Sequence, residues 1–223
     1  MGKTILTPKQ FNFLQLAAKS SQITQRFYLT GGTALAEFYL KHRLSEDIDL
    51  FCEKSEVEIG TVEAFLKKIS PNLGISHIKR TQFLGLVSYF LIYKDGQQLK
   101  VDFNYYPFPK INKGTKFLNL DVDSIYDIAV NKVHTLFMRP RARDYIDLYF
   151  IMTQENYPLG KLIIDAKAKF DWDIERVNLA SQFLRVKDFQ KDFPTMLIPF
   201  NHRNMIKFFR TKAKNLQRDI FKD

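Results

Sequence analysis

The spacing of hydrophobic residues changes along the chain and divides it into two parts. In the first part, runs in which apolar and polar residues alternate are interspersed with segments of helical spacing, which indicates strands mixed with helices. The clearest signal is a hairpin, in which residues 87–93 and 98–105 flank the turn Lys94-Asp95-Gly96. The remainder shows helical spacing only. This pattern predicts a mixed α/β domain over residues 1–122 and a helical domain over residues 123–223.

Helix ends are marked by local signals. Thr7 and Pro8 are residue types favoured at the N-cap and the first position of a helix. A further helix is predicted over residues 58–69. In the second part, Pro140 is expected to separate a helix that Asp123 or Ser124 caps from the next one, because proline disrupts helix interiors.

A glycine pair joins two predicted elements early in the chain. Residues 27–30 indicate a strand and residues 33–41 a helix, so that Gly31 and Gly32 form the turn between them. Glycines let the backbone approach a ligand closely and adopt positive φ. The start of the helix near Thr33 offers free N–H groups and a positive dipole end, which favour triphosphate oxygens. Taken alone, the pair is better explained as a tight strand-to-helix turn.

Two carboxylates follow on the next predicted strand, residues 47–52. Because successive side chains alternate, Asp47 and Asp49 face one side of the sheet, while Ile48 and Leu50 face the core. Two like charges about 4 Å apart cost roughly 4 kcal/mol near a protein surface. A divalent cation such as Mg²⁺ reverses the sign of that interaction. An isolated Asp-x-Asp is better explained as a solvated strand face, but its position one helix after the glycine pair favours a metal site.

Three further residues could complete a nucleotide site. Asp102 lies on a predicted strand whose apolar neighbours point inward, so its own side chain points to the opposite face. If that strand lies beside the strand of Asp47, Asp102 could be a third metal ligand or a base. An exposed strand residue explains it equally well. Arg43 and Ser45, which precede Asp47, are candidates for phosphate contact.

Two charged residues interrupt apolar helical faces in the second part. Lys132 lies on an apolar stripe, and Asp147 is the only charge in residues 145–152. A charge in such surroundings needs a partner, and these two residues are candidates for each other. The pair could be purely structural, or Lys132 could bind a nucleotide phosphate or extend past the edge of the stripe to solvent.

Composition narrows the class of partner and the cellular setting. The formal charge of +10 and the pI of about 9.5 favour polyanionic partners. The last predicted helix, residues 201–221, has a basic face, which is better explained as solvated than as an RNA contact. The single cysteine, Cys52, is expected to be a small buried residue. No apolar run approaches the roughly 20 residues that span a bilayer. We therefore expect a soluble, cytoplasmic protein with no membrane partner.

Four segments resemble, in order and spacing, the motifs of the AbiEii-type nucleotidyltransferases, the toxins of bacterial abortive-infection and toxin–antitoxin systems. They are Phe27–Ala36, Arg43–Phe51, Asn131–His134 and Arg141–Tyr149. The resemblance covers about residues 25–150. It implies an α+β architecture with a polymerase-β-like nucleotidyltransferase fold and a helical C-terminal domain.

The resemblance also implies the roles of individual residues. Gly31-Gly32-Thr33 would bind the phosphates of a nucleoside triphosphate, and Asp47 and Asp49 would hold Mg²⁺. Lys132 and Asp147 would match the remaining functional lysine and aspartate of the family.

We therefore predict an Mg²⁺-dependent enzyme that transfers a nucleoside monophosphate from NTP to an RNA acceptor. In relatives the acceptor is the 3′ end of tRNA, and the partner is a cognate antitoxin. The alternatives are transfer to a hydroxyl of a small molecule or a protein, or a non-catalytic module that binds nucleotide or antitoxin. One departure from the family is Asn131, which stands before the motif lysine where relatives often have an acidic residue.

Overall fold

The computed structural model describes residues 4–189 and 192–220. Contacts divide the chain into two compact units. The first unit contains the residues through Tyr39 and Leu44–Ser124, and the second contains Leu40–Arg43 and the residues from Ile125 onward. The sequence did not predict that Leu40–Arg43 groups with the later helices. The assignment of functional domains to 1–122 and 123–223 stays a prediction.

A mixed sheet forms the first unit. Over the described residues it has seven strands in the order β3-β4-β5-β2-β1-β7-β6. The strands are β1 (Tyr28–Thr30), β2 (Ile48–Cys52), β3 (Ile75–Phe83), β4 (Leu86–Tyr93), β5 (Gln98–Tyr105), β6 (Lys116–Phe117) and β7 (Leu120–Val122). Its helices are α1 (Pro8–Lys19), α2 (Ser21–Thr24), α3 (Gly31–Leu35), which continues as the π-helical segment Ala36–Leu40, and α4 (Ile59–Leu73).

Local sequence signals account for most of these elements. Thr7 caps α1 and forms a capping box with Gln10, as the Thr-Pro start predicts. The predicted hairpin is confirmed: β4 and β5 are antiparallel, and Gly96 supplies the positive φ of +79° that the turn needs. Helix α4 runs to Leu73, past the predicted end at residue 69, and stops where Gly74 adopts a left-handed conformation.

Helices make up nearly all of the second unit. They are α5 (Ile125–Met138), α6 (Ala142–Gln154), α7 (Leu159–Phe170), α8 (Arg176–Leu184), a 3₁₀ turn (Arg185–Asp188) and α9 (His202–Ile220). The predicted break at Pro140 lies between α5 and α6. An isolated β-bridge joins Arg43 to Met196. The predicted end of the last helix at Phe221 lies outside the described residues.

Aromatic side chains fill the core of the second unit. Phe209 from α9 packs edge-on against Tyr145 of α6, with ring centroids 5.3 Å apart, and in a tilted arrangement against Phe183 of α8, with ring centroids 5.1 Å apart. All three side chains are fully buried.

Within the described part of the chain, none of the helices combines the length and the apolar character that crossing a bilayer requires. The seven-stranded sheet of the first unit and the helices of the second confirm the predicted α+β architecture.

Candidate active site

The turn from β1 into α3 brings a glycine against a carboxylate of the neighbouring strand. Gly31 has a φ of +73°, a conformation that L side chains rarely adopt. A Cβ atom at this position would lie 3.0 Å from Cγ and 3.2 Å from Cβ of Asp49, and would overlap the Asp49 carboxylate. Helix α3 begins at Gly31 and not near Thr33 as predicted, because the left-handed glycine turns the chain from strand directly into helix. The glycine turn and the Asp-x-Asp strand therefore meet.

Thr33 joins the same two segments by a second contact. Its side chain is 1% exposed, and its hydroxyl donates a hydrogen bond to the main-chain carbonyl of Asp47. The hydroxyl therefore positions the residues that precede β2. The first N–H groups of a helix lack partners within it, and the binding of phosphates by Gly31-Gly32-Thr33 stays a prediction.

Three adjacent strands align the polar residues of this region. In the antiparallel pair β1–β2, Thr30 is opposite Asp49, and in the parallel pair β2–β5, Asp49 is opposite Asp102. Residues paired in this way share one face of a sheet and lie on strands about 4.8 Å apart. The structure thus meets the condition under which Asp102 was proposed to approach the carboxylates. Its role as a metal ligand or base stays a prediction.

Lys100 links two of the carboxylates. Its Nζ lies 2.5 Å from Oδ2 of Asp102 and 3.9 Å from Oδ2 of Asp47. Asp102 is only 7% exposed, and its second oxygen, Oδ1, is buried without a hydrogen-bond partner among the described residues. Sequence reasoning placed Lys100 on the face of Asp102 but did not identify it as a partner. The signal was its position two residues before Asp102 on the same strand.

The carboxylates around Lys100 are groups of the kind that binds hard cations. Carboxylate oxygens are the donors that Mg²⁺ prefers, and Asp102 offers an acceptor atom that no described residue uses. In residues 4–189 and 192–220, no three His, Cys, Asp or Glu side chains are gathered tightly enough to form a complete metal site. The chemistry of these oxygens fits a divalent cation, and the assignment of Asp47, Asp49 and Asp102 as its ligands stays a prediction.

A buried charge network occupies the second unit. Its centre is Asp147, which is fully buried and is contacted by three basic side chains. Nε of Arg43 lies 2.6 Å from Oδ1 of Asp147, and Nζ of Lys132 lies 2.7 Å from Oδ2. Nε2 of His42 donates to Oδ1 over 2.9 Å. Nζ of Lys132 also lies 2.7 Å from Asp144. The predicted pairing of Lys132 with Asp147 is confirmed.

Opposite charges keep this network ionised despite its burial. Burial alone would raise the pKa of Asp147, but the charges of Lys132 and Arg43 and the hydrogen bonds from Arg43 and His42 lower it well below its ordinary value. Burial would lower the pKa of Lys132, and the charges of Asp147 and Asp144 raise it. The two carboxylates and the two cations therefore neutralise each other.

This network bears on two residues that were expected to bind nucleotide. Arg43 is 2% exposed, and both Nε and one terminal nitrogen donate to Asp147, so the geometry does not favour a phosphate contact for its guanidinium. Lys132 has two carboxylate partners and a side chain 11% exposed. Its proposed phosphate contact stays a prediction, as does that of Ser45, whose carbonyl accepts a hydrogen bond from Gln10.

Cys52, at the end of β2, does not take part in this chemistry. It is buried, and burial raises the pKa of its thiol to about 11, so the reactive thiolate is scarce at neutral pH. The expectation of a small buried residue is confirmed.

Comparisons with known proteins identify the family of this chain and proteins similar to it. The family model described as nucleotidyl transferase AbiEii toxin, type IV TA system, matches residues 13–214. An uncharacterized protein of Aquifex aeolicus is 27% identical over 195 residues, which cover 86% of this chain and 88% of that protein.

Two crystal structures from Helicobacter pylori share the fold. JHP933 has a TM-score of 0.59 and 22% identity, with 96% of this chain and 94% of that chain covered. A candidate nucleotidyltransferase has a TM-score of 0.60 and 22% identity, covering 96% of this chain and 97% of that chain. The polymerase-β-like nucleotidyltransferase fold predicted from the sequence is confirmed. The family match extends across nearly the whole chain, and the protein is therefore a nucleotidyltransferase that belongs to the AbiEii toxin family of type IV toxin–antitoxin systems.

Proposed function

We propose that the protein transfers a nucleoside monophosphate from NTP to a hydroxyl group of RNA in the presence of Mg²⁺, with the 3′ end of tRNA as the first candidate acceptor. In this proposal it acts as a toxin in the cytoplasm and is restrained by a cognate antitoxin. The observation that carries the proposal is the contact between Gly31 and Asp49, which brings a helix start suited to phosphates against a carboxylate suited to a cation.

The residues of the first unit would divide the work as follows. The main chain of Gly31-Gly32-Thr33 would bind phosphate oxygens, and Asp47 and Asp49 would hold the cation. When bound, the cation would neutralise charge on the phosphates and favour ionisation of the acceptor hydroxyl. The carboxylate of Asp102 would accept the proton of that hydroxyl. The new bond joins the acceptor oxygen to the α-phosphorus, the bond from that phosphorus to the bridging oxygen breaks, and pyrophosphate leaves.

Lys132 and Asp147 would support activity by holding Arg43. Only Leu44, Ser45 and Glu46 separate Arg43 from Asp47 in the sequence. A segment fixed at Arg43 restricts the conformations open to the residues that follow it. We therefore assign Lys132 and Asp147 a positioning role, which is consistent with their burial and with their mutual ion pair.

Positive charge supports a polyanionic acceptor. Helix α9 carries four exposed cations at helical spacing, namely Arg203, Lys207, Arg210 and Lys214. Within the described part of the chain, none of them forms an ion pair with an acidic side chain. Together with the net charge of +10, this stripe favours RNA over a cationic small molecule.

A labelling assay tests the proposal directly. The protein is incubated with Mg²⁺, total RNA and each of the four NTPs radiolabelled on the α-phosphate, and the products are separated into RNA, protein and small-molecule fractions. We expect label in RNA, with a loss of at least about 100-fold in Asp47→Asn and Asp49→Asn.

The matched control is Asp121→Asn, which removes a half-exposed carboxylate of β7 from the same unit. It should label RNA as well as the wild type does. Label that appears in protein or in small molecules would identify another acceptor class, and labelling that survives in both site variants would overturn the assigned site.

A further inference from the structure

Lys100 lies among the carboxylates of the candidate site. Its ammonium group is hydrogen-bonded to Asp102 at 2.5 Å and lies 3.9 Å from Asp47, so it contacts oxygens that a divalent cation would use. The side chain of Lys100 is 29% exposed, whereas that of Asp102 is only 10% exposed. The lysine can therefore move into solvent, while the aspartate cannot.

Asp102 depends on a cation nearby. A buried carboxylate without compensation is strongly unfavourable, and one of its two oxygens already lacks a hydrogen-bond partner among the described residues. Lys100 is the described residue whose charge contacts the other oxygen. Either this ammonium group or a metal ion can supply the compensating charge, but the two cannot occupy the same oxygens at close range.

We propose that Lys100 is an internal counter-ion that competes with the divalent cation for Asp102 and Asp47. Binding of the metal releases the ammonium group from Asp102, and the strength of the lysine contact sets the metal affinity. This inference rests on the proposed metal-binding role of Asp47 and extends it to Oδ2 of Asp102, the oxygen that Lys100 contacts. It also gives a physical reason why these carboxylates, with Lys100 among them, are not gathered into a closed three-ligand site.

The first test measures metal affinity without nucleotide or RNA. Mn²⁺ is titrated into the full chain, and the free ion is measured by electron paramagnetic resonance. We expect Lys100→Gln to bind Mn²⁺ about 3–10-fold more tightly than the wild type. The metal then no longer has to break the hydrogen bond between Lys100 and Asp102, and a charge-assisted bond to a partly exposed group contributes free energy in the corresponding range. Lys100→Arg, which retains both the charge and the donor groups, should stay within about twofold of the wild type.

A matched control distinguishes the direct contact of Lys100 with Asp102 from the long-range effect that any lysine charge has on metal affinity. Lys79 of β3 is exposed and is in register with Lys100 across β4, through Phe90. The two lysines are therefore separated by two strand spacings, about 10 Å. This distance is close to the Debye length at moderate salt, so most of the long-range interaction is screened. Lys79→Gln removes the same charge without touching Asp102 and should change the Mn²⁺ affinity by less than about 1.5-fold.

The second test uses the wild-type protein. Acylation of lysines by an activated ester is followed by mass spectrometry, with and without saturating Mn²⁺ at constant ionic strength. We expect the modification rate of Lys100, relative to that of Lys79, to rise at least about threefold when metal is added, because an amine released from Asp102 is more accessible to the reagent.

The outcomes distinguish this inference from the proposed function. If the wild type binds Mn²⁺ but Lys100→Gln binds it equally or less tightly, the competition is refuted while the metal site stands. A relative acylation rate of Lys100 that does not change with metal has the same meaning. If neither protein binds Mn²⁺, both the metal site and the competition are refuted.

Discussion

Gly31 and Asp49 fit together only because residue 31 has no side chain. The position that a Cβ atom would take is filled by the Asp49 carboxylate, and the backbone φ of +73° independently favours glycine. The positive φ and the contact with Asp49 are thus two independent reasons for glycine at position 31, and both concern the candidate site.

The substitution Gly31→Ala should therefore destabilise the protein and abolish activity. The left-handed backbone and the overlap with Asp49 together predict a loss of roughly 1–3 kcal/mol in the free energy of unfolding. Urea unfolding measures the stability, and transfer of label from NTP measures the activity. We expect activity to fall by more than the unfolded fraction of the protein accounts for, because the added methyl group must displace Asp49.

Gly60 offers the matched control. It lies in α4 without a positive φ, and apart from its chain neighbours and the backbone of its own helix no described atom lies within 4 Å of the place that an added methyl group would take. Gly60→Ala should be neutral or stabilising by up to about 1 kcal/mol, and should leave activity unchanged. Equal losses in both variants would show that the contact with Asp49 is irrelevant.

Thr33 should matter through its hydroxyl group. Thr33→Val keeps the shape but removes the hydrogen bond to the carbonyl of Asp47, and we expect a destabilisation of about 1–3 kcal/mol. Because this bond positions the residues before β2, Mn²⁺ affinity should also fall, as measured by electron paramagnetic resonance. Thr33→Ser retains the donor and should recover most of the metal affinity; failure of this rescue would count against the positioning role.

Local elements were predictable from the sequence because their causes are local. The cap at Thr7 and the turn at Gly96 each depend on a few neighbouring residues, and both were correctly predicted. The alternation of β5 also placed Asp102 and Lys100 on one face. It could not reveal their ion pair, since alternation fixes the side of a sheet but not the rotamer of a long side chain.

Long-range contacts were harder to predict. The pairing of Lys132 with Asp147 could be inferred because Lys132 interrupts an apolar stripe and Asp147 is the only charge in residues 145–152. The contact of Arg43 with Asp147 could not, since these residues are 104 positions apart and Arg43 lies in a short connecting segment without helical or strand periodicity. A polar segment before a strand gives no sign of burial, so a phosphate contact was the natural hypothesis for Arg43.

Asp147→Asn should be among the most destabilising polar substitutions in the second unit. Neutralising this carboxylate leaves Arg43 and Lys132 with unbalanced charge in a buried setting, which predicts a loss of about 3–5 kcal/mol. Asp173→Asn is the control, because Asp173 pairs with Lys167 at the surface and should contribute about 0–1 kcal/mol. Urea unfolding of both variants at neutral pH makes the comparison, and similar values would contradict the proposed importance of the network.

Lowering the pH should remove the contribution of the same network to the free energy of unfolding. The pKa values of Asp147 and Asp144 are lowered in the folded protein relative to the ordinary value of 3.8. A carboxyl group whose folded-state pKa is lowered stabilises the protein above its unfolded-state pKa and loses that effect as the pH falls toward the folded-state value.

The difference in the free energy of unfolding between the wild type and Asp147→Asn should thus be constant from neutral pH to about 5 and should shrink below about 4. Urea unfolding at a series of pH values measures it. A difference that does not depend on acid would mean that Asp147 is not ionised in the folded protein.

The basic stripe of α9, defined by Arg203, Lys207, Arg210 and Lys214, should determine how strongly RNA binding depends on salt. These residues extend along about 16 Å of one helical face, a length that can follow several phosphates of a backbone. If all four contact phosphates of a single strand, changing them to Gln should reduce the slope of log K against log salt by about 2.8. Fluorescence anisotropy with labelled tRNA at several salt concentrations gives both slopes.

The control for the stripe has to remove the same charge elsewhere. The exposed residues Lys67, Lys68, Lys79 and Lys94 of the first unit, changed together to Gln, lower the net charge by the same four units. If the stripe is the RNA contact, this control should keep most of the wild-type slope, because counterion release counts contacts with phosphates and not total charge. Equal reductions in the two quadruple variants would show that α9 contributes only to the overall field, and an unchanged slope in the α9 variant would show that its basic face is merely solvated.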